Sequence, residues 1–484
     1  MDAADRERAI RGLAEGGGFG GQFLLSSEAG MEPPGSFVSR RIGGWTLAAH
    51  PLLPVRDITV GGGAVVGWLV GWAVDESGEI PDGSWRLPCE GVGALDTGWF
   101  EERLYGLGGR FACVLATPVH ARFYLDPAGT LAAVYASGEK TVASTTSLLA
   151  FGSRGAGYFG AYGPWEAGAN QFFPAGTTSH AEMRRLLPNH YLDLNAWRPV
   201  RHWMAEPVGR VSMGEVDGLL EAIARILRRQ AQAVIRRYPS YLCLTAGRDT
   251  RLILGAAREV AGDVTFITFT RGGEGGMIDL GVASALARRF GLRHEVLPRA
   301  KLEEGLCQEY RAQIGYDGAC GKAAYFLEAA RRHLDLGRAL VTGHLGGLWK
   351  GFYWHRVNAI CPGMGSGELF DAMKLKPREP FAGVISDWLD GVPRGDPHFL
   401  LDQMFLEQRV GCWASPHMYG TAPFAANLTP FCHRGIIRAM LGLPIEYRQA
   451  GGLTGDVLAR LWPELMELPV NPETFEGAPP APRM

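Results

Sequence analysis

Tyr241-Leu242-Cys243-Leu244-Thr245-Ala246-Gly247-Arg248-Asp249-Thr250-Arg251-Leu252-Ile253-Leu254-Gly255-Ala256-Ala257 is the stretch on which the fold turns. Its first four residues form an apolar, β-favouring run that stops at a loop of small and polar residues. From Arg251 the residues are helix-compatible again, to about Val260. A strand, a tight polar turn and a helix start make an anion site, because free backbone N–H groups and the helix dipole point the same way. Thr245 and Thr250 add hydroxyl donors, and Asp249 adds a carboxylate that binds a cation rather than an anion. The hexapeptide Thr245–Thr250 is also compatible with an ordinary strand-to-helix turn, so its surroundings decide its meaning.

Downstream, Val264–Thr270 reads as a strand, Met277–Phe290 as a helix and His294–Leu297 as a strand. Strands alternating with helices predict a parallel, doubly wound sheet, with the Thr245 loop at the carboxyl end of its first strand. Upstream, Val216, Leu219, Leu220, Ile223 and Leu227 recur at helical spacing. Before about residue 200 the period is that of strands. Arg110–Leu115 and Ala121–Leu125 are short and extended, and the latter ends at a turn signal, Asp126-Pro127-Ala128-Gly129. Arg198–Val211, with Pro199 and Pro207, reads as a linker, and from about Cys361 the chain reads as mainly helical. The division expected is residues 1–205, β-rich, and 206–484, α/β, with a disordered tail from about 475.

The chain has 484 residues with 46% hydrophobic and 20% charged residues, a globular balance with room for two domains. A net charge of −2 offers no basis for binding nucleic acid or an anionic membrane. The eight cysteines, Cys89, Cys113, Cys243, Cys307, Cys320, Cys361, Cys412 and Cys432, form no Cys-x-x-Cys pair. Free thiols in a reducing cytoplasm are expected, rather than disulfides or a zinc site. Met1-Asp2-Ala3-Ala4-Asp5 carries no apolar signal core, and Gly321-Lys322 lacks the spacing and hydroxyl of a P-loop.

Taken together these pieces resemble the asparagine synthetase family, within it the branch of β-lactam synthetases and lasso-peptide cyclases. Leu107–Ala112, Tyr124–Leu131 and Arg185–His190 resemble segments of that family's glutaminase-like domain. Thr245–Thr250 resembles its pyrophosphate loop, and the strand ending at Thr270 its adenine-contacting strand. Gly343-His344-Leu345-Gly346-Gly347 resembles its second ATP and metal loop, and Pro430-Phe431 with Leu443-Pro444 a late conserved segment. The resemblance implies an α/β protein: an Ntn-hydrolase-like β-rich sandwich, then a doubly wound ATP-pyrophosphatase domain with a helical C-terminal part. It implies ATP and Mg²⁺ as cofactors. ATP would be held by Leu244, Thr245, Ala246, Gly247, Arg248, Asp249, Thr250, Thr270, Gly343 and Gly346, and the metal by Asp249. The implied reaction adenylates a small-molecule or peptide carboxylate, releases pyrophosphate, and passes the acyl group to an amine.

Three departures narrow this. Asp2 stands where a working glutaminase needs cysteine, so no glutamine hydrolysis is expected. Gly347 stands where the family places its second metal-binding aspartate. No lysine follows Lys376, so the late pyrophosphate-neutralising lysine is absent, with Arg448 a possible substitute. His344 replaces the catalytic tyrosine of the branch and Glu407 falls near that tyrosine's glutamate partner, which makes them the expected base and orienter. Each also has an ordinary reading, as a loop histidine and a solvated helix acid. Arg248 and Arg251 are expected to contact phosphate or pair with Asp249, and Trp349, Phe352, Tyr353 and Trp354 to pack in the core. The other class of protein compatible with these departures is a degenerate, non-catalytic binding or scaffold subunit. Neither the acyl substrate nor the oligomeric state is legible.

Overall fold

The computed structural model describes residues 18–28, 32–151, 172–270, 272–298, 304–316, 324–375, 381 and 383–475. Asp2, Cys320, Gly321, Lys322, Lys376 and the tail beyond 475 lie outside these residues.

Residues up to Arg201 form two sheets, of six and seven strands, antiparallel except for one parallel edge pair. Period-two alternation shows why they stack. In the Val65–Val74 strand, Trp68, Val70 and Trp72 face the core between the sheets, while Leu69 and Ala73 face the opposite side. Across the inter-sheet core Phe23 and Phe123 stack with centroids 5.7 Å apart. The Thr97–Tyr105 helix, capped by Asp96, covers the outer face of the larger sheet through Phe100 and Leu104. The expected linker begins later than read: Arg198–Arg201 is a strand paired with His190–Asp193. Its β-branched Val200 faces Tyr191 across that pair, which outweighs the two flanking prolines as a structure signal.

Beyond it the architecture changes. A capping box at Ser212 and Glu215 leads into the Val216–Arg237 helix. Five strands then build a parallel sheet in the order His294–Leu297, Val264–Phe269, Ser240–Cys243, Arg338–Val341, Ala425–Leu428. Helices cover both faces. Leu242 and Phe266 meet Ile223, Leu227 and Leu254 on one side. Tyr241, Ile267 and Leu340 meet Ala330 and Leu334 on the other. The protein is thus mixed α/β, and among the described residues no helix is long and apolar enough to cross a membrane. The seven described cysteines are all free.

The two architectures are stitched together. Gly109 N–H donates to the Cys432 carbonyl at 2.8 Å, and Tyr419 Oη donates to the Ala132 carbonyl at 2.7 Å. Asp126 accepts backbone N–H groups within its own turn and the Cys432 thiol at 3.1 Å.

Candidate functional site

The strand order of the parallel sheet reverses between Ser240–Cys243 and Arg338–Val341, and ligands bind parallel sheets in the crevice that such a reversal opens at the strands' carboxyl ends. A cavity of about 400 Å³ lies there. Its polar end is made by Thr245, Gly247, Asp249, Thr250, Gly343 and His344. Its apolar walls include Ile267, Phe269, Phe326, Leu340 and Met418, and Tyr310, Trp413 and His417 close the far side.

The helix after the first loop spans Arg248–Ala256, beginning three residues earlier than the sequence suggests. Asp249 therefore sits in its first turn, where the dipole favours a carboxylate. No side chain caps this helix start, and the first intrahelical bond runs from Arg251 N to Gly247 O at 3.2 Å. The N–H groups of the first turn are thus left facing outward. Thr245 and Thr250 hydroxyls lie 2.8 Å apart and Thr250 Oγ1 donates to the Gly247 carbonyl at 3.2 Å, so at most one hydroxyl of the pair, that of Thr245, is left to donate outward. The loop is otherwise tied down: Ala246 N–H donates to Asp279 Oδ1 at 3.1 Å, and Asn471 N–H donates to the Ala246 carbonyl at 2.9 Å.

The second loop packs directly on Asp249. A Cβ on Gly343 would come within 2.8 Å of the Asp249 Cβ, and one on Gly346 would collide with the carboxyl group itself. Both positions require glycine for that close approach. Leu345 between them is held at φ +74°, a left-handed conformation rare for a leucine, and is buried. Thr429 Oγ1 donates to the His344 carbonyl at 2.7 Å and pins the loop to the last strand's end.

Lys350, absent from the sequence reading, completes this corner. Its Nζ lies 2.9 Å from Asp249 Oδ1 and donates to Oδ2 at 3.1 Å. Oδ1 is sealed from solvent and outside hydrogen-bond geometry, so its contact is purely ionic. The donor set does not fit a protein-held Mg²⁺. Among the described residues Asp249 is the one carboxylate lining the cavity, and it is already paired. At Gly347, where the resemblance places a second carboxylate, a Cβ would lie 3.0 Å from the Phe405 ring. No group of three or more potential metal ligands exists among the described residues.

Two histidines face the cavity. His344 is half-buried, and desolvation, reinforced by the Arg110 charge, pushes its pKa down to about 4. His417 shares a 2.6 Å hydrogen bond between its Nδ1 and the Tyr310 hydroxyl, and burial with neighbouring Arg409 lowers its pKa to about 4 as well. Both rings are neutral at pH 7. His417 was missed because it lies in Cys412–Tyr419, which carries no recognisable pattern. It follows a π-helical segment, Phe405–Ala414, a rare geometry frequently found at functional sites.

Several expected roles are corrected. Glu407 does not line the cavity and has no bond to His344. It is fully buried in that π-helix, held by Arg201 at 2.6 and 2.9 Å, by Asn189 Nδ2 at 2.8 Å and by Trp388 Nε1 at 2.7 Å. Burial alone would raise its pKa, but Arg201 and these donors hold it below the usual carboxylate range. Arg448 is no substitute lysine: it is buried, forked onto Asp402 at 2.6 and 2.9 Å, and bonded to the Leu348 and Trp349 carbonyls. Arg251 neither meets Asp249 nor lines the cavity. It is buried and donates to the carbonyls of Leu465, Leu468 and Pro469. Arg248 lies over the Trp349 ring at 5.9 Å. Thr270 lies outside the cavity lining with its N–H on the Leu297 carbonyl, and the same strand contributes Ile267 and Phe269 instead. Leu244 and Ala246 are buried and take no part in the lining. The four aromatics Trp349 to Trp354 likewise stay out of it.

The sequence matches no protein-family model. It matches no curated protein. Among solved structures the chain is similar to NMN synthetase from Francisella tularensis, with 12% identity and a TM-score of 0.20, over 39% of this chain and 92% of that one. A likeness at that score carries no argument about chemistry.

Proposed function

We propose that this protein is an ATP-dependent carbon–nitrogen ligase of the asparagine synthetase type. In this reading it adenylates a carboxylate and passes the acyl group to an amine without hydrolysing glutamine. On the same reading the β-rich part up to Arg201 is a glutaminase-like sandwich, and the parallel-sheet part after it is the ATP-pyrophosphatase part. The observation that carries the reading is the continuity of one cavity. It runs from an uncapped helix start with threonine hydroxyls, suited to phosphates, into an apolar chamber with two neutral imidazoles.

The chemistry divides accordingly. The substrate carboxylate attacks the α-phosphorus, the bond to the β-phosphate oxygen breaks, and pyrophosphate leaves toward the Arg248–Ala256 helix start. The amine then attacks the acyl carbon, AMP leaves, and the amine's proton passes to a ring nitrogen of His417 or His344. Both rings are weak bases in the empty site, and a bound phosphate raises their pKa by opposing desolvation of the charged form. Mg²⁺ enters as the counter-ion of the nucleotide, not as a resident of the protein. The apolar walls exclude water from the adenylate.

ATP–pyrophosphate exchange with a panel of amino acids, peptides and sugar acids tests this. Carboxylate-dependent exchange supports it. A second reading, a non-catalytic binding subunit, is favoured by the missing second carboxylate at Gly347. ATP binding without exchange for any carboxylate supports that one instead.

A further inference from the structure

We infer that Lys350 does the work of a protein-held metal ion in this site: its ammonium bridges Asp249 and the nucleotide's phosphates, so that nucleotide binding is independent of divalent cation. The inference rests on the ATP-site reading above. Four observations on the page converge. The carboxylate at the helix start is paired with a cation at 2.9 and 3.1 Å. Gly343 and Gly346 press the second loop against that carboxylate, leaving no room for an ion with its water shell on their side. The position that would hold a second acid is filled by the Phe405 ring. Finally, no cluster of metal ligands exists elsewhere among the described residues.

Mg²⁺ keeps most of its waters and demands octahedral oxygen ligands, whereas an ammonium is compact, needs no fixed geometry and offers three donors. One donor is spent on Asp249 Oδ2, which leaves the ammonium's others for a phosphate oxygen. Lys350 itself is outside the cavity lining, but its side chain is 30% exposed and its ammonium is held against Asp249, which does line the cavity. Asp249 then has a role opposite to ligation: it holds the ammonium in place and partly offsets its charge. This gives a change of sign. Neutralising a metal ligand weakens nucleotide binding, whereas neutralising the partner of a phosphate-binding lysine frees the lysine's charge.

Titration calorimetry of the full chain with ATP, in EDTA and separately in Mg²⁺, tests this. Wild-type affinities should agree within about threefold between the two buffers. Lys350→Met should lose about tenfold or more in EDTA, as expected for one charged hydrogen bond to phosphate, and recover in Mg²⁺. Asp249→Asn should bind ATP in EDTA at least as tightly as wild type. Lys350→Arg, which retains the charge, should behave as wild type, and thermal melting of each variant checks that it is folded. Wild-type binding seen only with Mg²⁺, or Asp249→Asn weakened only in Mg²⁺, overturns the inference while leaving the ATP site standing. Absence of binding in both buffers overturns the ATP-site reading, and the inference with it.

Discussion

Glu407 bears a carboxylate with no exposed surface, balanced by the forked guanidinium of Arg201. Removing one partner of such a pair leaves an uncompensated charge. Glu407→Gln should therefore cost about 3 kcal/mol in urea unfolding, with ATP affinity of the folded protein unchanged. The converse result, intact stability with lost activity, would return Glu407 to the reaction. His344 and His417 give a pH signature. Their folded pKa values near 4 lie below the unfolded value of about 6.5, so the unfolded chain takes up protons first as pH falls. Their contribution is fully present above pH ~6.5 and is lost as pH drops toward 4. The melting temperature should fall over that window, and the double variant His344→Gln, His417→Gln should flatten the slope. An unchanged slope would show that the rings are not held neutral. Asp249 and Thr245 were legible in the sequence because strand, loop and helix start are contiguous there. Lys350, Arg201 and Tyr310 were not, since their partners lie 101, 206 and 107 residues away along the chain, pairings that only the packed fold defines.

The chain reads as mainly helical from about Cys361, yet Phe405–Ala414 is π-helical over its length. Nothing local distinguishes i→i+5 from i→i+4 bonding; the choice is made by packing. Gly411 marks the pressure, because a Cβ there would sit 2.5 Å from Pro188 Cδ of the first unit. The widened turns set the phase of everything after them, including Trp413 and His417. Deleting Gly411 should restore α-helical phase and rotate the following residues by about 100°, breaking the His417–Tyr310 bond. The expected outcome is little change in helical circular dichroism and at least tenfold weaker binding of the acyl substrate. Retained binding would mean that the helix phase does not shape the cavity. At this scale three of the parallel sheet's five strands were readable as short apolar runs, while Arg338–Val341 and Ala425–Leu428 were not. The linker was less legible: it was read from Arg198, but Val200 pairs with Tyr191 where the prolines suggested open chain.

Across the whole molecule, the core runs without a break from Phe23 and Trp68 through Ile223 and Leu242 to Val457. Buried Arg110 and Arg434 reach carbonyls across the same junction, at Asn427 and Leu125 respectively. Calorimetric unfolding should accordingly show one transition, and residues 206–484 produced alone should aggregate, since the junction's apolar surface has no other cover. Two separated transitions would show that the halves are independent. The long-range closure has a further consequence in time. Arg251 leaves the ribosome more than two hundred residues before Leu465, Leu468 and Pro469, the carbonyls that satisfy its guanidinium. Asn471, which ties down Ala246, emerges later still. A nascent chain can complete its strands early, but the Thr245–Thr250 loop stays unclasped until these late residues arrive. Synthesis thus has a built-in order: this loop is fastened only once residues 465–471 are made, and a chain stopped short of them is released with the loop unfastened.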